Sequence, residues 1–401
     1  MKGNKMSEEN KLIEIVDELS KNAMFRLSLC SKELFHSNFW AWLIEQEPKF
    51  VYMFGEEFSN IEEKVDIKRE DKICTVEEKD IFNENKTYKK NCIADISFIH
   101  NNNLYIIENK LKSLPNKEQL ENYIVGDIIN EKYKDLQRKV ILTSFTKPIF
   151  ELNINIKYVS YKDICDKLKN LKYLFNSNNE NKILLENYIK YLDLMNQLND
   201  NLSLKNSESM TYGVLLDKIE KAQEKLESLH FDTFVKNLVY CHLVSDLLED
   251  CKDKENLFTC VTYSSKAKHS YMDIMYTYYK RTADEINKYR KSGEQDFKVF
   301  LAGIQIAGNE YRKYFNVIKK KTNKDNETKN KLTLFLRNKY ENFLENTYDS
   351  NRKNNNNGFW CYDYPEDTWL YKKTNIDINS FTFEKLKEKI VEDLNYLNDN
   401  K

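Results

Sequence analysis

The sequence has 401 residues, enough for two domains at roughly 100–200 residues per domain, with 41% hydrophobic and 13% aromatic residues. Lys and Arg number 63 against 64 Asp and Glu, so the net charge is −1. This balance excludes a basic field over the whole protein, and any surface for nucleic acid must be local.

The eight cysteines are scattered without a CxxC pair. This pattern favours reduced thiols over a zinc site or a disulfide framework. The chain starts with mostly polar and charged residues, and no stretch of about 18 apolar residues occurs. We therefore expect a soluble, unsecreted, cytoplasmic protein with no membrane partner.

The first half of the chain predicts helices around a group of strands, because the apolar residues change from helical to alternating spacing. In chain order we expect helices within 8–46, a strand at 62–76, a loop at 80–90, strands at 92–99 and 104–111, a helix at 116–134, and strands at 139–145 and 156–160. This order indicates an α/β core with a crossover connection.

The second half predicts a different mixture. We expect helices over 180–250 with a polar break near 199–209, strands at 257–280 and 297–307, a helical Lys-rich region at 310–350, and a terminal helix at 382–398. The break indicates two domains, 1–200 and 201–401, and the second is expected to be α+β.

Asn101-Asn102 lies between the two clearest strands, and asparagine tolerates the positive φ that a two-residue turn needs. A hairpin turning there pairs Ser97 with Ile106, and Asp95 with Glu108. The Cβ atoms of such opposed residues lie about 4.5–5.5 Å apart. Two carboxylates at that distance repel each other, so the pair makes sense if a divalent cation lies between them.

Alternation along the second strand places Lys110 on the same face as Glu108. Hard oxygen ligands with open positions suit Mg²⁺, with Mn²⁺ as a substitute. Such a metal acidifies a bound water and polarises a phosphate. Lys110 would then orient the attacking water or stabilise the transition state. The segment therefore predicts metal-dependent phosphodiester hydrolysis.

The combination of Asp95 with Glu108-Asn109-Lys110 after an apolar strand resembles the PD-(D/E)xK nuclease superfamily, with Ala94 where the motif has proline. The resemblance covers about residues 10–165. It implies a restriction-endonuclease-like core, in which helices flank a central mixed sheet, followed here by the α+β C-terminal domain.

Three further residues gain roles from the resemblance. Glu33, in ELFHSNFWAWL, is similar to a glutamate that commonly completes the metal site in one branch of the superfamily; a surface position on a helix is the alternative. Gln119 and Tyr123 resemble a Gln-x-x-x-Tyr motif on a helix face that borders the active site and the nucleic-acid backbone. Gln119 would position water or backbone and Tyr123 would contact nucleic acid. Helix capping with Asn116 and ordinary packing are their alternatives.

The second half carries a local basic region. Residues 312–331 hold eight Lys and Arg, including Lys319, Lys320 and Lys321, beside Tyr311 and other aromatics. This composition suits contacts to a phosphate backbone, and a solvated charged face is the alternative. The aromatic segment 358–373 is best explained as core. Homo-oligomerisation, sensing, or a partner protein bound through this half is an interpretation from architecture.

The sequence thus favours an Mg²⁺-dependent nuclease, an endonuclease acting on DNA, with anti-phage or genome defence as a role by analogy. A ribonuclease with the same site is the first alternative. A non-catalytic nucleic-acid-binding or assembly protein that retains the fold is the second. Binding alone does not require opposed carboxylates, which favours the enzyme.

Overall fold

The structure, a computed structural model, describes residues 8–28, 33–80, 83–111, 113–207, 209–249, 257–264, 269–277, 297–319, 326–347, 359–363 and 367–399. The chain divides into two units. The first comprises residues up to 78, 88–206 and 217–245, and the second comprises 79–87, 207–216 and 246 onward.

The first unit is built on a mixed sheet. Its strands are β1 (Lys68–Asp80), β2 (Asn83–His100), β3 (Asn103–Lys110), β4 (Ile128–Ile129), β5 (Gln137–Ser144) and β6 (Ile156–Ser160). Within the described residues, these six strands lie in the order β4-β1-β2-β3-β5-β6. β2 and β3 are antiparallel, whereas β3, β5 and β6 are parallel.

Helices flank this sheet. α3 (Glu33–Gln46), α4 (Lys117–Val125) and α5 (Tyr161–Leu171) contact its strands. α1 (Glu8–Lys21) and α2 (Ala23–Leu27) pack against α6 (Asn179–Leu202), which also contacts α5. Further along the chain come α7 (Tyr212–Lys221), whose residues the two units share, α8 (Gln223–Ser228) and α9 (Asp232–Leu247). Short 3-10 segments occur at Pro48–Phe54, Glu56–Phe58, Glu131–Tyr133, Lys172–Phe175 and Leu204–Asn206. The predicted α/β core with a central mixed sheet is confirmed.

The β3 strand is buried on both faces, as expected of a strand with a parallel neighbour. Leu104 and Ile106 on one face pack in a buried cluster with Leu120 and Tyr123 of α4. The α4 helix is thereby held against the face of β3 that also carries Glu108.

The β2–β3 turn has the predicted geometry. Asn101 and Asn102 both have positive φ, 48° and 59°. The ladder pairs Ser97 with Ile106 and Ile96 with Ile107, which is the predicted register.

The predicted loop over 80–90 is wrong, because β2 begins at Asn83. β2 is a neighbour of β1 in the sheet, and Lys89 of β2 forms an ion pair with Glu77 of β1 at 3.3 Å. A polar two-stranded ribbon lacks the apolar alternation from which strands are predicted.

The predicted helix over 116–134 ends early, at Val125. A Cβ at the next residue, Gly126, would lie 2.4 Å from the Cys74 sulfur, so the chain passes β1 at a distance only glycine allows. Ile129 then pairs with Cys74 in the sheet. Glycine is a poor helix former and a common helix terminator, and the close contact with Cys74 additionally requires it at this position.

The second unit contains an antiparallel sheet. Its strands are β7 (Leu257–Ser264), β8 (His269–Thr277), β9 (Phe297–Ala307), β10 (Glu310–Lys319), β11 (Trp360–Asp363) and β12 (Asp367–Lys373), in the order β11-β12-β10-β9-β8-β7 within the described residues. The helices α10 (Asn326–Lys339) and α11 (Phe383–Asp399) and a 3-10 segment at Ile378–Ser380 accompany them. The predicted α+β character is confirmed.

The predicted helix over 310–350 is wrong for its first ten residues. They form β10, which pairs with β9 beyond a turn at Gly308, whose φ is 59°. Lys313 lies buried within this strand and pairs with Asp393 of α11. A strand is predicted from alternating polar and apolar residues, and a lysine at a buried position interrupts that alternation. The charged sequence is therefore easily mistaken for that of a helix.

None of the described helices is both long enough and apolar enough to cross a bilayer.

Candidate active site

Asp95 and Glu108 meet at the open end of the β2–β3 hairpin. The ladder joins Ile96 to Ile107, and continuing that register by one pair places Asp95 opposite Glu108. The Oδ2 atom of Asp95 accepts the backbone N–H of Asn109 at 2.7 Å. The structure therefore brings together the two carboxylates that the sequence paired.

Three side chains surround the Glu108 carboxylate, which is only 4% exposed. Its Oε1 atom lies 2.8 Å from the Lys110 ammonium nitrogen and accepts a hydrogen bond from the Gln119 amide at 2.7 Å. Its Oε2 atom accepts a hydrogen bond from the Tyr123 hydroxyl at 2.7 Å. These charge-assisted contacts compensate for the burial of the carboxylate and fix its direction.

The charges of the site perturb one another. Burial raises the pKa of Asp95, and the nearby carboxylates of Glu108 and Glu33 raise it further. The Asn109 N–H and the Lys110 ammonium group lower this pKa but do not cancel the rise. Burial alone would lower the pKa of Lys110, but the surrounding carboxylates outweigh it and leave that pKa above its ordinary value. Lys110 is therefore an ammonium group that donates hydrogen bonds.

Glu33 is the first residue of α3 and reaches the end of β3. Its Oε1 atom accepts the backbone N–H of Leu111 at 2.9 Å and the Ser113 hydroxyl at 3.4 Å. Its charge contributes to the raised pKa of both Asp95 and Lys110. The predicted third acidic residue therefore acts electrostatically on Asp95 and Lys110.

The backbone and the side chain of Gln119 make hydrogen bonds with different partners. Its backbone N–H donates to the side chain of Asn116, which caps α4, at 3.1 Å. Its side-chain amide points instead to Glu108. Asn116 therefore caps the helix with its own side chain, whereas the Gln119 side chain, which a capping box would direct to the Asn116 backbone, lies on Glu108.

Tyr123 is 1% exposed, and its hydroxyl lies between Glu108 Oε2 at 2.7 Å and the Ile93 carbonyl oxygen at 2.6 Å. Burial and the Glu108 charge raise the pKa of this hydroxyl, so it remains a donor. Such a buried ring offers no surface to nucleic acid, so the predicted contact with nucleic acid is wrong for this structure. The Tyr123 side chain contacts Glu108 instead.

Asn109 was not singled out from the sequence, although it lies between Glu108 and Lys110. It is 1% exposed, and its side chain bonds to α3 through the Glu33 carbonyl and to β5 through Thr143. Alternation places it on the face opposite to Glu108, and a polar residue on a buried face must be hydrogen-bonded. That rule could have identified it.

The structure describes only part of the predicted basic region at 312–331. Lys319 is the last residue of β10, whereas Lys320 and Lys321 lie outside the described residues. Arg312 and Lys313 each pair with a carboxylate within the second unit, at 2.5 Å. At these two positions the basic side chains stabilise the fold of the unit.

The profile of a protein family described as the PD-(D/E)XK nuclease superfamily matches residues 22–190. That span contains every residue of the site at the end of the β2–β3 hairpin. Residues 22–190 therefore form a domain of the PD-(D/E)XK nuclease superfamily. No curated protein and no solved structure matches the chain. Proteins of the PD-(D/E)XK superfamily act on nucleic acids and typically depend on a divalent metal.

The donor chemistry of this PD-(D/E)XK domain fits such a metal. Within the described ranges, no three His, Cys, Asp or Glu side chains converge closely enough to form a ready-made metal cluster. Asp95, Glu108 and Glu33 nevertheless offer the hard carboxylate oxygens that Mg²⁺ prefers. The raised pKa of Asp95 reports burial and carboxylate repulsion, both of which a cation there would offset.

Proposed function

We propose that the PD-(D/E)XK domain is an Mg²⁺-dependent nuclease that cleaves phosphodiester bonds within DNA. The observation that supports this most strongly is the meeting of Asp95, Glu108 and Lys110 at one end of the hairpin. Opposed carboxylates destabilise a sheet, so a fold kept only for binding has no use for them.

Each residue has a proposed role. Asp95 and Glu108 hold the metal, with Glu33 as the third contributor. A divalent cation bound there supplies an acidified water and neutralises charge on the phosphate. Lys110, kept protonated by its neighbours, donates hydrogen bonds to the attacking water or to a phosphate oxygen. Gln119 and Tyr123 hold Glu108 in place.

The wider role is part of the same proposal. Nucleases of this kind often act in defence against phage or foreign DNA, and we propose that role, in the cytoplasm, by analogy. The second unit would recognise substrate, sense a signal or form oligomers, with Lys319, Lys320 and Lys321 contacting phosphates.

The proposal is tested by incubating the full chain with supercoiled plasmid, linear DNA and RNA, with Mg²⁺, Mn²⁺ or EDTA. Cleavage of both DNA forms that EDTA abolishes is the expected result. Cleavage restricted to RNA would keep the site and replace the substrate. Failure to cut any of the three polymers contradicts the proposal.

The Lys110→Ala variant tests the site itself. Removing one preorganised donor should lower the cleavage rate by roughly 100-fold or more, while the circular dichroism spectrum stays that of the wild type. Lys134→Ala is the matched control, because Lys134 is an exposed lysine of the same domain that pairs only with Glu131 among the described ion pairs. Equal cleavage by Lys110→Ala and Lys134→Ala would remove Lys110 from the mechanism.

A further inference from the structure

The side-chain amide of Asn109 uses all of its hydrogen-bonding capacity. Its Nδ2 donates to the Glu33 carbonyl at 2.9 Å and to the Ser37 hydroxyl at 3.3 Å. Its Oδ1 accepts the hydroxyls of Thr143 at 3.2 Å and Tyr161 at 2.5 Å. One buried amide thus joins β3 to α3, β5 and the start of α5.

The backbone of the same residue belongs to the site. Its N–H donates to Asp95, and its peptide neighbours are Glu108 and Lys110. On the other side, Glu33 is held twice, by its carbonyl on the Asn109 amide and by its carboxylate on the Leu111 N–H. Asn109 therefore adjoins all four charged residues of the site. Glu108 and Lys110 are its neighbours in the chain, and Asp95 and Glu33 are its hydrogen-bond partners.

We propose that Asn109 is a positioning residue whose side-chain amide fixes Glu33 relative to Asp95, Glu108 and Lys110, and thereby sets the affinity of the site for its metal. This inference rests on the proposed nuclease function. The physical reason is rigidity: three carboxylates that repel one another keep one arrangement only if neutral groups behind them hold it. Glu33 lies on a separate helix, and the Asn109 amide ties that helix to the strand carrying Glu108.

The test is Asn109→Asp, studied in the full chain. The variant keeps the acceptors for Thr143 and Tyr161 and loses the donors to Glu33 and Ser37. An added negative charge by itself strengthens cation binding, whereas lost positioning weakens it, so the two effects have opposite signs. We expect Mn²⁺ affinity, measured by calorimetry on metal-free protein, to fall about 10- to 100-fold.

In Asn109→Asp, we expect kcat to change more than KM. At saturating Mg²⁺ the KM for DNA should stay within about threefold of wild type while kcat falls. Asn109→Ser is the second variant, which carries the test if Asn109→Asp does not fold. Ser97→Ala is the matched control, because it removes a buried hydrogen bond to Asp71 at 2.5 Å on the same sheet and leaves Asn109 untouched.

The outcomes are distinct. Weaker Mn²⁺ binding in the Asn109 variants but not in Ser97→Ala supports the inference. Wild-type affinity in a folded Asn109 variant, or an equal loss in Ser97→Ala, overturns it while the nuclease proposal stands. A wild-type protein that neither binds Mn²⁺ nor cuts nucleic acid overturns both.

Discussion

At the scale of the residue, stability and chemistry meet at Glu108. A buried carboxylate is tolerated only when it is hydrogen-bonded, and Glu108 receives its bonds from Lys110, Gln119 and Tyr123. The groups that offset the free-energy cost of burying this carboxylate are also those that orient it. Changes to them should therefore lower the free energy of unfolding and slow cleavage together, while the native structure is retained.

Tyr123→Phe tests that coupling. The ring still packs, but both Glu108 Oε2 and the Ile93 carbonyl lose the hydroxyl that contacts them. We therefore expect a loss of about 1–3 kcal/mol in the free energy of unfolding, together with slower cleavage. Urea titration and cleavage rates measure the two effects. Tyr105→Phe, which removes a hydroxyl from the same sheet without touching Glu108, should change neither. An unaltered Tyr123→Phe protein would show that Glu108 does not depend on this bond.

Asp95→Asn should have opposite effects on stability and function. The folded-state pKa of Asp95 is raised, so its stabilising contribution is complete below the unfolded pKa and is lost as pH rises through the folded value. At pH 8 the neutral asparagine should therefore stabilise the metal-free protein by on the order of 1–2 kcal/mol. The gain should vanish near pH 4, and Mn²⁺ binding should be lost.

Thermal unfolding at pH 8 and pH 4, with and without Mn²⁺, measures this difference. A variant less stable than wild type at pH 8 in EDTA would contradict the electrostatic account of Asp95.

At the scale of the element, the β2–β3 hairpin decides whether the site exists. A slip of one residue in its register would turn Glu108 and Lys110 to the opposite face. Positive φ at both turn residues fixes the register, and asparagine adopts that conformation more easily than other residues with a side chain.

Asn102→Ala should therefore destabilise the protein by about 1 kcal/mol, because alanine is strained at positive φ, whereas Asn102→Gly should not. Urea midpoints of the two variants provide the measurement. Because the turn lies at the far end of the hairpin from Asp95, folded Asn102→Ala should still cleave. Equal midpoints for alanine and glycine would contradict a turn-controlled register.

At the scale of the whole molecule, buried histidines link the first unit to pH. His36 bonds to Tyr188 of α6 at 2.8 Å, and His242 to Asn199 at 2.7 Å. Burial lowers the pKa of His36 to about 3 and that of His242 to about 4. Both are therefore neutral in the native protein and join helices through neutral hydrogen bonds.

Acid should unfold this unit early. The ordinary histidine pKa is 6.5, so below that pH the unfolded chain binds protons that the native protein does not. Stability is complete above pH 6.5 and should fall towards pH 4 by up to about 1.4 kcal/mol per pH unit for each histidine. Asp95 acts in the opposite sense, so the decline should be steeper in Asp95→Asn. Urea midpoints at pH 7, 6 and 5 measure it; midpoints that do not change would contradict the linkage.

Local pattern was enough for several features. Alternation and the Asn101-Asn102 turn paired Ser97 with Ile106 correctly, and with that register came the meeting of Asp95 and Glu108. These contacts span few residues, so spacing along the chain determines them. The helices of the first half and the terminal helix were found for the same reason, since apolar periodicity is a local property.

Only the tertiary structure decided the rest. The requirement for glycine at position 126 comes from its contact with Cys74 of β1, which is distant in sequence. The inward direction of Tyr123 and the four partners of Asn109 depend on elements distant in sequence. A single sequence records which residues are polar, but which of them become buried and bonded follows from packing between elements, and that packing converts a pair of opposed carboxylates into a supported site.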